Sequence, residues 1–442
     1  MRLGCLMVMS LGLASAAEPE LPRATVARVT GAMVVDGRLD EPFWKQTAEQ
    51  GGFGRLGGKG TPSVATTFRV AADATALRVG IVCQEPNPEQ LVARTSRRDG
   101  PIWSDDSVEF LVQPGPRFYY QFAVNAAAAQ FDARVPLEGG AGTAEATLWD
   151  GVWQTAVHRE AGFWSVELRL PWAALDLGPE TLGTWRLNVG RTAARRMEYS
   201  AWAPVVKGFH DLPRFGYLDG LAIKPTDYPL DGSRLQIPPL RVGGNRFRLR
   251  LPARRAGPYQ VKMAVQRWAP GPPPARRPVG QPLSAKGGEL AMDLRVPVKE
   301  AGVLQQLVVE VAEASGRPLL LRAHLFQAPD PLVANLAWPV AYAGDGQVRA
   351  AVTVALAPGF APGLLTARLT SNGKAVGKPT AFPLPRSGDY PVALPLTGLP
   401  DDLYQLELTA RVPEVGEFRE VLPFYKVVGP FDQAGRAAGP SS

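Results

Sequence analysis

An all-β fold is predicted by three features of this 442-residue sequence. Many short segments alternate apolar and polar residues. Turn residues separate nearly all of them. Runs with a helical period are almost absent. The 46 glycines and 43 prolines are spread along the chain, so they punctuate strands rather than mark one unfolded tract. At this length the chain should form several domains rather than one core.

Residues 101–125, PIWSDDSVEFLVQPGPRFYYQFAVN, carry the pattern most clearly. Val108, Phe110 and Val112 alternate with Ser107, Glu109 and Gln113, and Leu111 is out of step. After Pro114-Gly115-Pro116, Tyr120, Phe122 and Val124 alternate with Tyr119, Gln121, Ala123 and Asn125. Two paired strands should therefore turn one face to the core and a polar face outward. Trp103, with Asp105 and Asp106, stands just before the first strand. An aromatic plate, carboxylates and a polar sheet face suit a sugar, whose rings carry apolar C–H patches and whose hydroxyls need placed polar partners.

In chain order, residues 1–17 have a minimal basic start at Arg2, an apolar run and the small residues Ala14-Ser15-Ala16, the pattern of a cleaved export leader. The run is shorter than the roughly 20 residues of a membrane span. Around residues 36–46, Asp40 is expected to cap a short helix with Pro42 in its first turn, packed by Phe43 and Trp44. Strand pairs are expected within 64–83 and at 153–159 with 163–170, then one helical turn at 171–175 and a strand at 185–192. Trp44, Trp153, Trp164, Trp172 and Trp185 are expected in the core. Loss of the leader leaves Cys83 alone, on an apolar strand face, as an inert buried thiol.

The formal net charge of +7 comes from scattered arginines, which do not make the clustered patch that nucleic acid requires. Residues 223–233 resemble a linker. Beyond it, segments 256–265 and 307–318 are echoed by 361–370 and 403–413. A period of about 100 residues predicts two smaller Ig-like or fibronectin-like sandwiches, at 234–329 and 331–430, with a frayed tail at 431–442.

Six stretches in one order carry a resemblance: residues 36–44, 103–110, 119–125, 163–172, 185–191 and 209–216. Residues 24–222 resemble family 9 carbohydrate-binding modules and their uncharacterised relatives, within the DOMON-like sandwich group. The resemblance implies a β-sandwich in which two aromatic rings clasp a sugar and polar side chains meet its hydroxyls. Trp103 matches the first ring, Phe209 the position of the second, and Glu109 the carboxylate. The family's arginine falls at Ala123 and its asparagine near Val206. Asp106, Gln121, Asn125, His210 and Asp211 complete the candidate ligand set. Structural calcium is implied too, without assignable ligands.

The resulting expectation is an exported, non-catalytic glycan-binding protein of the periplasm, cell surface or medium that supports carbohydrate breakdown by other enzymes. The C-terminal sandwiches would be spacers or would meet other exported or cell-surface proteins. No catalytic motif is found; Asp105, Asp106 and Glu109 are acids crowded in one stretch. One alternative is a structural or protein-interaction role with a degenerate sugar site. A more remote one is a haem-binding DOMON-like domain using Met197 with His158 or His210. Glu109 could also pair with Arg169 or Arg186 rather than touch a ligand.

Overall fold

A computed structural model describes residues 20–58, 60–138, 149–178, 180–221, 223–269 and 274–427. The leader at 1–17 and the tail at 431–442 lie outside the described residues. The chain divides into two compact units. One comprises Met1–Trp149, Trp153–Pro171 and Glu180–Lys224; the other comprises Asp150–Val152, Trp172–Pro179 and Pro225–Ser442.

The first unit contains β1 (Arg23–Thr25), β2 (Ala27–Arg28), helix α1 (Pro42–Lys45), β3 (Gly54–Arg55), β4 (Thr66–Ala72), β5 (Ala76–Gln84), β6 (Ser107–Gln113) and β7 (Phe118–Asn125). It continues with β8 (Gln130–Pro136), β9 (Gln154–Glu160), β10 (Phe163–Pro171), β11 (Trp185–Ala193), β12 (Glu198–Ala201) and β13 (Gly216–Asp219). One sheet runs β1-β13-β11-β6-β7-β8, with β12 and β3 continuing from β11; the other runs β2-β4-β5-β10-β9. The alternation seen in the sequence is realised. Phe110, Phe122, Trp185, Leu187 and Val189 from the first sheet are buried, as are Val79, Ile81, Trp164, Val166 and Leu168 from the second. Arg191 ties the layers together: from β11 it donates to the Ala65 and Gln84 carbonyls and the Thr66 hydroxyl of the second. The five tryptophans expected in the core are all buried. So is Cys83, whose thiol burial pushes up to about 11.

The hairpin forms with Ser107 opposite Asn125, Glu109 opposite Ala123 and Val112 opposite Tyr120. Its outward face, expected to be polar, is largely apolar and covered. Leu111, Tyr119, Ala123, Phe131, Ala133 and Val135 cluster there with Phe209 and Phe215. Leu111 is therefore in step with a second, smaller core.

The helix at Pro42–Lys45 forms, but Glu41 rather than Asp40 is its N-cap residue, and no side chain caps it. The Glu41 carboxylate instead accepts from the Val34 N–H. What holds this segment on the sheet is Glu167 of β10. Its carboxylate accepts from Trp44 Nε1 at 2.9 Å, Gly37 N at 2.9 Å and Asp36 N at 3.1 Å. Gly37 has φ 87°, and a Cβ there would meet the His158 nitrogen at 2.5 Å, so the close approach needs glycine.

The second unit holds β14 (Gly243–Pro252), β15 (Tyr259–Arg267), β16 (Arg277–Pro278), β17 (Glu289–Val298), β18 (Leu304–Glu313) and β19 (Pro318–Gln327). It ends with β20 (Leu332–Leu336), β21 (Val340–Tyr342), β22 (Gln347–Val354), β23 (Gly363–Ser371), β24 (Lys374–Leu384), β25 (Gly388–Pro395), β26 (Asp402–Val412) and β27 (Gly416–Val427). The sheets are β14-β17 with β16-β15-β18-β19, then β20-β22-β25 with β21-β27-β26-β23-β24. The repeated segments are equivalent pairs, β15 beside β18 and β23 beside β26. In the last sandwich the Tyr404 hydroxyl donates to the Pro400 carbonyl at 2.8 Å, the local bond that fixes a corner in immunoglobulin-type sandwiches. One apolar cluster runs through both sandwiches, from Leu249 and Leu307 to Val352 and Leu406. Val152 and Ala173 pack with Val308, Leu321 and Ala323, which is why two short pieces from the middle of the sequence belong to this unit.

Candidate ligand-binding site

Strand register places one row across four neighbouring strands on the outer face of the first sheet. Gly190 of β11 lies opposite Glu109 of β6, Glu109 opposite Ala123 of β7, and Ala123 opposite Phe131 of β8. At about 4.8 Å per strand the row spans about 14 Å. Aromatic rings stand at both ends. A Cβ on Gly190 would meet the Phe209 ring at 2.7 Å, so that ring lies directly on the glycine backbone. Trp103 sits edge to face on Phe131, with centroids 5.6 Å apart. Glu109 and Ala123 form the floor between them.

The two walls differ. Trp103 is 51% exposed, carried on the short 3-10 turn Ile102–Ser104 that Ile102 anchors in the core. Phe209 is buried among loop residues and meets Tyr199 edge on, with centroids 6.4 Å apart. Any replacement of Gly190 must expel it. Gly190→Ala is expected to cost about 1–3 kcal/mol through overpacking. Urea unfolding measures this; an unchanged midpoint would show that Phe209 moves away freely.

Glu109 is 5% exposed, and its Oε2 accepts from Gln121 Nε2 at 2.7 Å. Neither Arg169 nor Arg186 is its partner. Arg169 donates to the Thr75 hydroxyl, and Arg186 to the carbonyls of Leu212, Pro213 and Phe215. Burial pushes the Glu109 carboxyl from 4.5 up to about 7, the Gln121 hydrogen bond opposing it. A carboxyl with a higher pKa in the folded chain stabilises the fold fully below its unfolded value and loses that contribution as pH rises through the folded one. The stability of the natural chain relative to Glu109→Gln is therefore expected to fall by up to about 3 kcal/mol between pH 4 and pH 8. Thermal unfolding of both proteins across that range measures it; a pH-independent difference contradicts the assignment.

Asp106 and Asn125, both in the candidate set, belong to the loop framework. Asp106 accepts from the Val92 and Ala194 N–H groups; burial raises its pKa. Asn125 donates to the Thr95 carbonyl and Asp105 and accepts from Ala127 and Ala129. Burial opposes ionisation of Asp105, but the Thr95 and Arg94 N–H groups and the Asn125 amide hold its pKa low. These groups have hydrogen-bond partners because they shape the loop that carries Trp103. His210 is exposed, its Nδ1 is 2.8 Å from the Tyr119 hydroxyl, and desolvation of the ring lowers its pKa. Asp211 accepts from the Val206 N–H at 3.0 Å. Sequence reasoning missed Gly190, Tyr119, Phe131 and Tyr199 as members of the site.

Among the described residues, no group of three or more His, Cys, Asp or Glu side chains gathers as a metal would need, so the calcium implied by resemblance has no acidic cage there. His158 lies on β9 in the second sheet beside Glu160, while Met197 is 86% exposed in the connection between β11 and β12. No described helix is long and apolar enough to cross a membrane.

Comparison with known proteins places residues 35–218 in a family profile described as carbohydrate family 9 binding domain-like. No curated protein matches the chain. Among solved structures, it is similar to a proposed carbohydrate-binding protein of Bacteroides uniformis, with 19% identity over 46% of this chain and 100% of that one, at a TM-score of 0.38. It is also similar to a family 9 carbohydrate-binding module of Caldicellulosiruptor kristjanssonii in complex with glucose, with 16% identity over 46% and 97% of the two chains, at a TM-score of 0.33. Chicken CNTN1 fibronectin domains FN1–FN3 match at 9% identity over 81% and 97%, with a TM-score of 0.16. The segment 35–218 that builds the row between Trp103 and Phe209 is thus the part of the chain that matches the carbohydrate family 9 binding domain-like family.

Proposed function

We propose that the first unit binds a saccharide in the slot bounded by Trp103 and Phe209, and that the exported protein thereby supports glycan breakdown by other enzymes. The observation that carries this reading is the exposed Trp103 ring at one end of a row whose floor offers a polar group, Glu109, beside the small Ala123. A half-exposed indole and a recessed carboxyl along one row suit a pyranose, with an apolar ring face and polar edge. The family match supports the same ligand class.

A non-catalytic role is supported by the acids themselves. Glycoside hydrolysis needs two carboxyls facing one bond. Glu109 is the one acid in the row, while Asp105 and Asp106 are engaged by backbone N–H groups of residues 92–95 and 194. Export rests on the leader pattern at residues 1–17. Glycan-array screening of the mature chain, followed by calorimetry of the hits, tests the proposal. Saturable binding of at least one saccharide is expected; a folded protein that binds none would favour a structural role instead.

A further inference from the structure

The floor of the slot holds an acid without a cation. Glu109 is more than nine-tenths buried, and Gln121 engages only its Oε2. Among the described residues Oε1 has no hydrogen-bond partner, and the residue keeps 5% of its surface exposed. Its row neighbours are Gly190 and Ala123, which bring no charge. The titratable groups around this face include Tyr119, whose phenol is pushed up to about 12 by burial and then by the Glu109 charge, His210 against its hydroxyl, Tyr199 on the Phe209 ring, and Asp211, which accepts from the Val206 N–H and faces Arg214. Desolvation lowers the His210 pKa, favouring the neutral ring. The arginine nearest along β11 toward the sheet end, Arg186, is spent on carbonyls.

A neutral ligand that closes over such a carboxyl removes its remaining water and returns no charge. An acidic ligand adds repulsion. An ammonium supplies both the missing hydrogen bond and the missing charge. We infer that the slot selects saccharides bearing a free amino group, with the ammonium against Glu109 Oε1, over N-acetylated and uronic-acid saccharides of equal length. This rests on the reading of the slot as a saccharide site.

Once the carboxyl is ionised, charge sets the order: amino sugar, then neutral sugar, then uronate. The carboxyl, held up at about 7 by burial in the free protein, is largely protonated at pH 6. Seating an ammonium beside it lowers that pKa, so a proton leaves to solvent when an amino sugar binds. A neutral sugar leaves the proton in place.

Calorimetry of the full chain at pH 6, in two buffers of different ionisation enthalpy, tests this with tetrasaccharides of glucosamine, N-acetylglucosamine and galacturonic acid. The glucosamine tetramer is expected to bind about tenfold tighter than the acetylated one and than the uronate, with release of about one proton. Glu109→Gln should bring the glucosamine and N-acetyl affinities together. Equal affinities in the natural protein, no proton release, or a preference that survives Glu109→Gln overturns the inference while saccharide binding stands. If none of the three binds and the array finds no other saccharide, the underlying reading fails too. Should Glu109→Gln not fold, the proton count in the natural protein decides.

Discussion

Trp103→Ala is expected to weaken saccharide binding about 30-fold, equivalent to about 2 kcal/mol, without lowering the thermal midpoint measurably. The two halves of this expectation have separate causes. The ring is half exposed and meets the Phe131 ring edge to face, so its loss opens to solvent rather than leaving a sealed cavity. In the complex the same ring would be covered by a sugar face, and its removal takes away one wall of the slot. Calorimetry with any saccharide found on the array, beside a melting curve, reads both halves. Unchanged affinity would move the site elsewhere; a large drop in midpoint would make Trp103 a packing residue.

Glu167→Ala is expected to destabilise the first unit by about 4 kcal/mol. The substitution leaves the Trp44 indole N–H and the Gly37 N–H buried without an acceptor, and removes one from Asp36. Trp44 is 1% exposed, so water cannot replace the lost bond without opening the core. Glu167→Gln should cost less, since one oxygen remains to accept while the new amide N–H₂ faces a donor. Urea unfolding followed by tryptophan fluorescence measures the series. A loss below about 1 kcal/mol for the alanine variant would show that the segment from Asp36 to Trp44 is held by apolar packing alone.

The hairpin was legible in the sequence because period-two alternation is a local signal, and both strands keep it through the turn. Trp103 and Glu109 were legible for the same reason: each has a definite position relative to that hairpin. What could not be seen depends on contacts far apart in the chain. Leu111 looked out of step because nothing local announces that residues 201–215 fold across the outer face and turn it into a second core. The roles of Asp106 and Asn125 escaped because a polar side chain before or within a strand looks the same whether it meets water, a ligand or buried N–H groups. Gly190 carried no recognisable signal, since its reason is the Phe209 ring resting on it. The Asp40 cap failed because a capping residue type does not itself place the side chain at the helix end; Glu41 occupies that position and its carboxylate reaches Val34.

The central claim is that saccharide meets the outer face of the first sheet, between Trp103 and Phe209. Hydrogen–deuterium exchange on the full chain, with and without saturating saccharide, tests it most directly. The account predicts slowed exchange in peptides covering 100–110, 119–131 and 199–212, with the strands of the second unit unchanged. Protection confined to residues beyond 224, with those three segments unaffected, would contradict it.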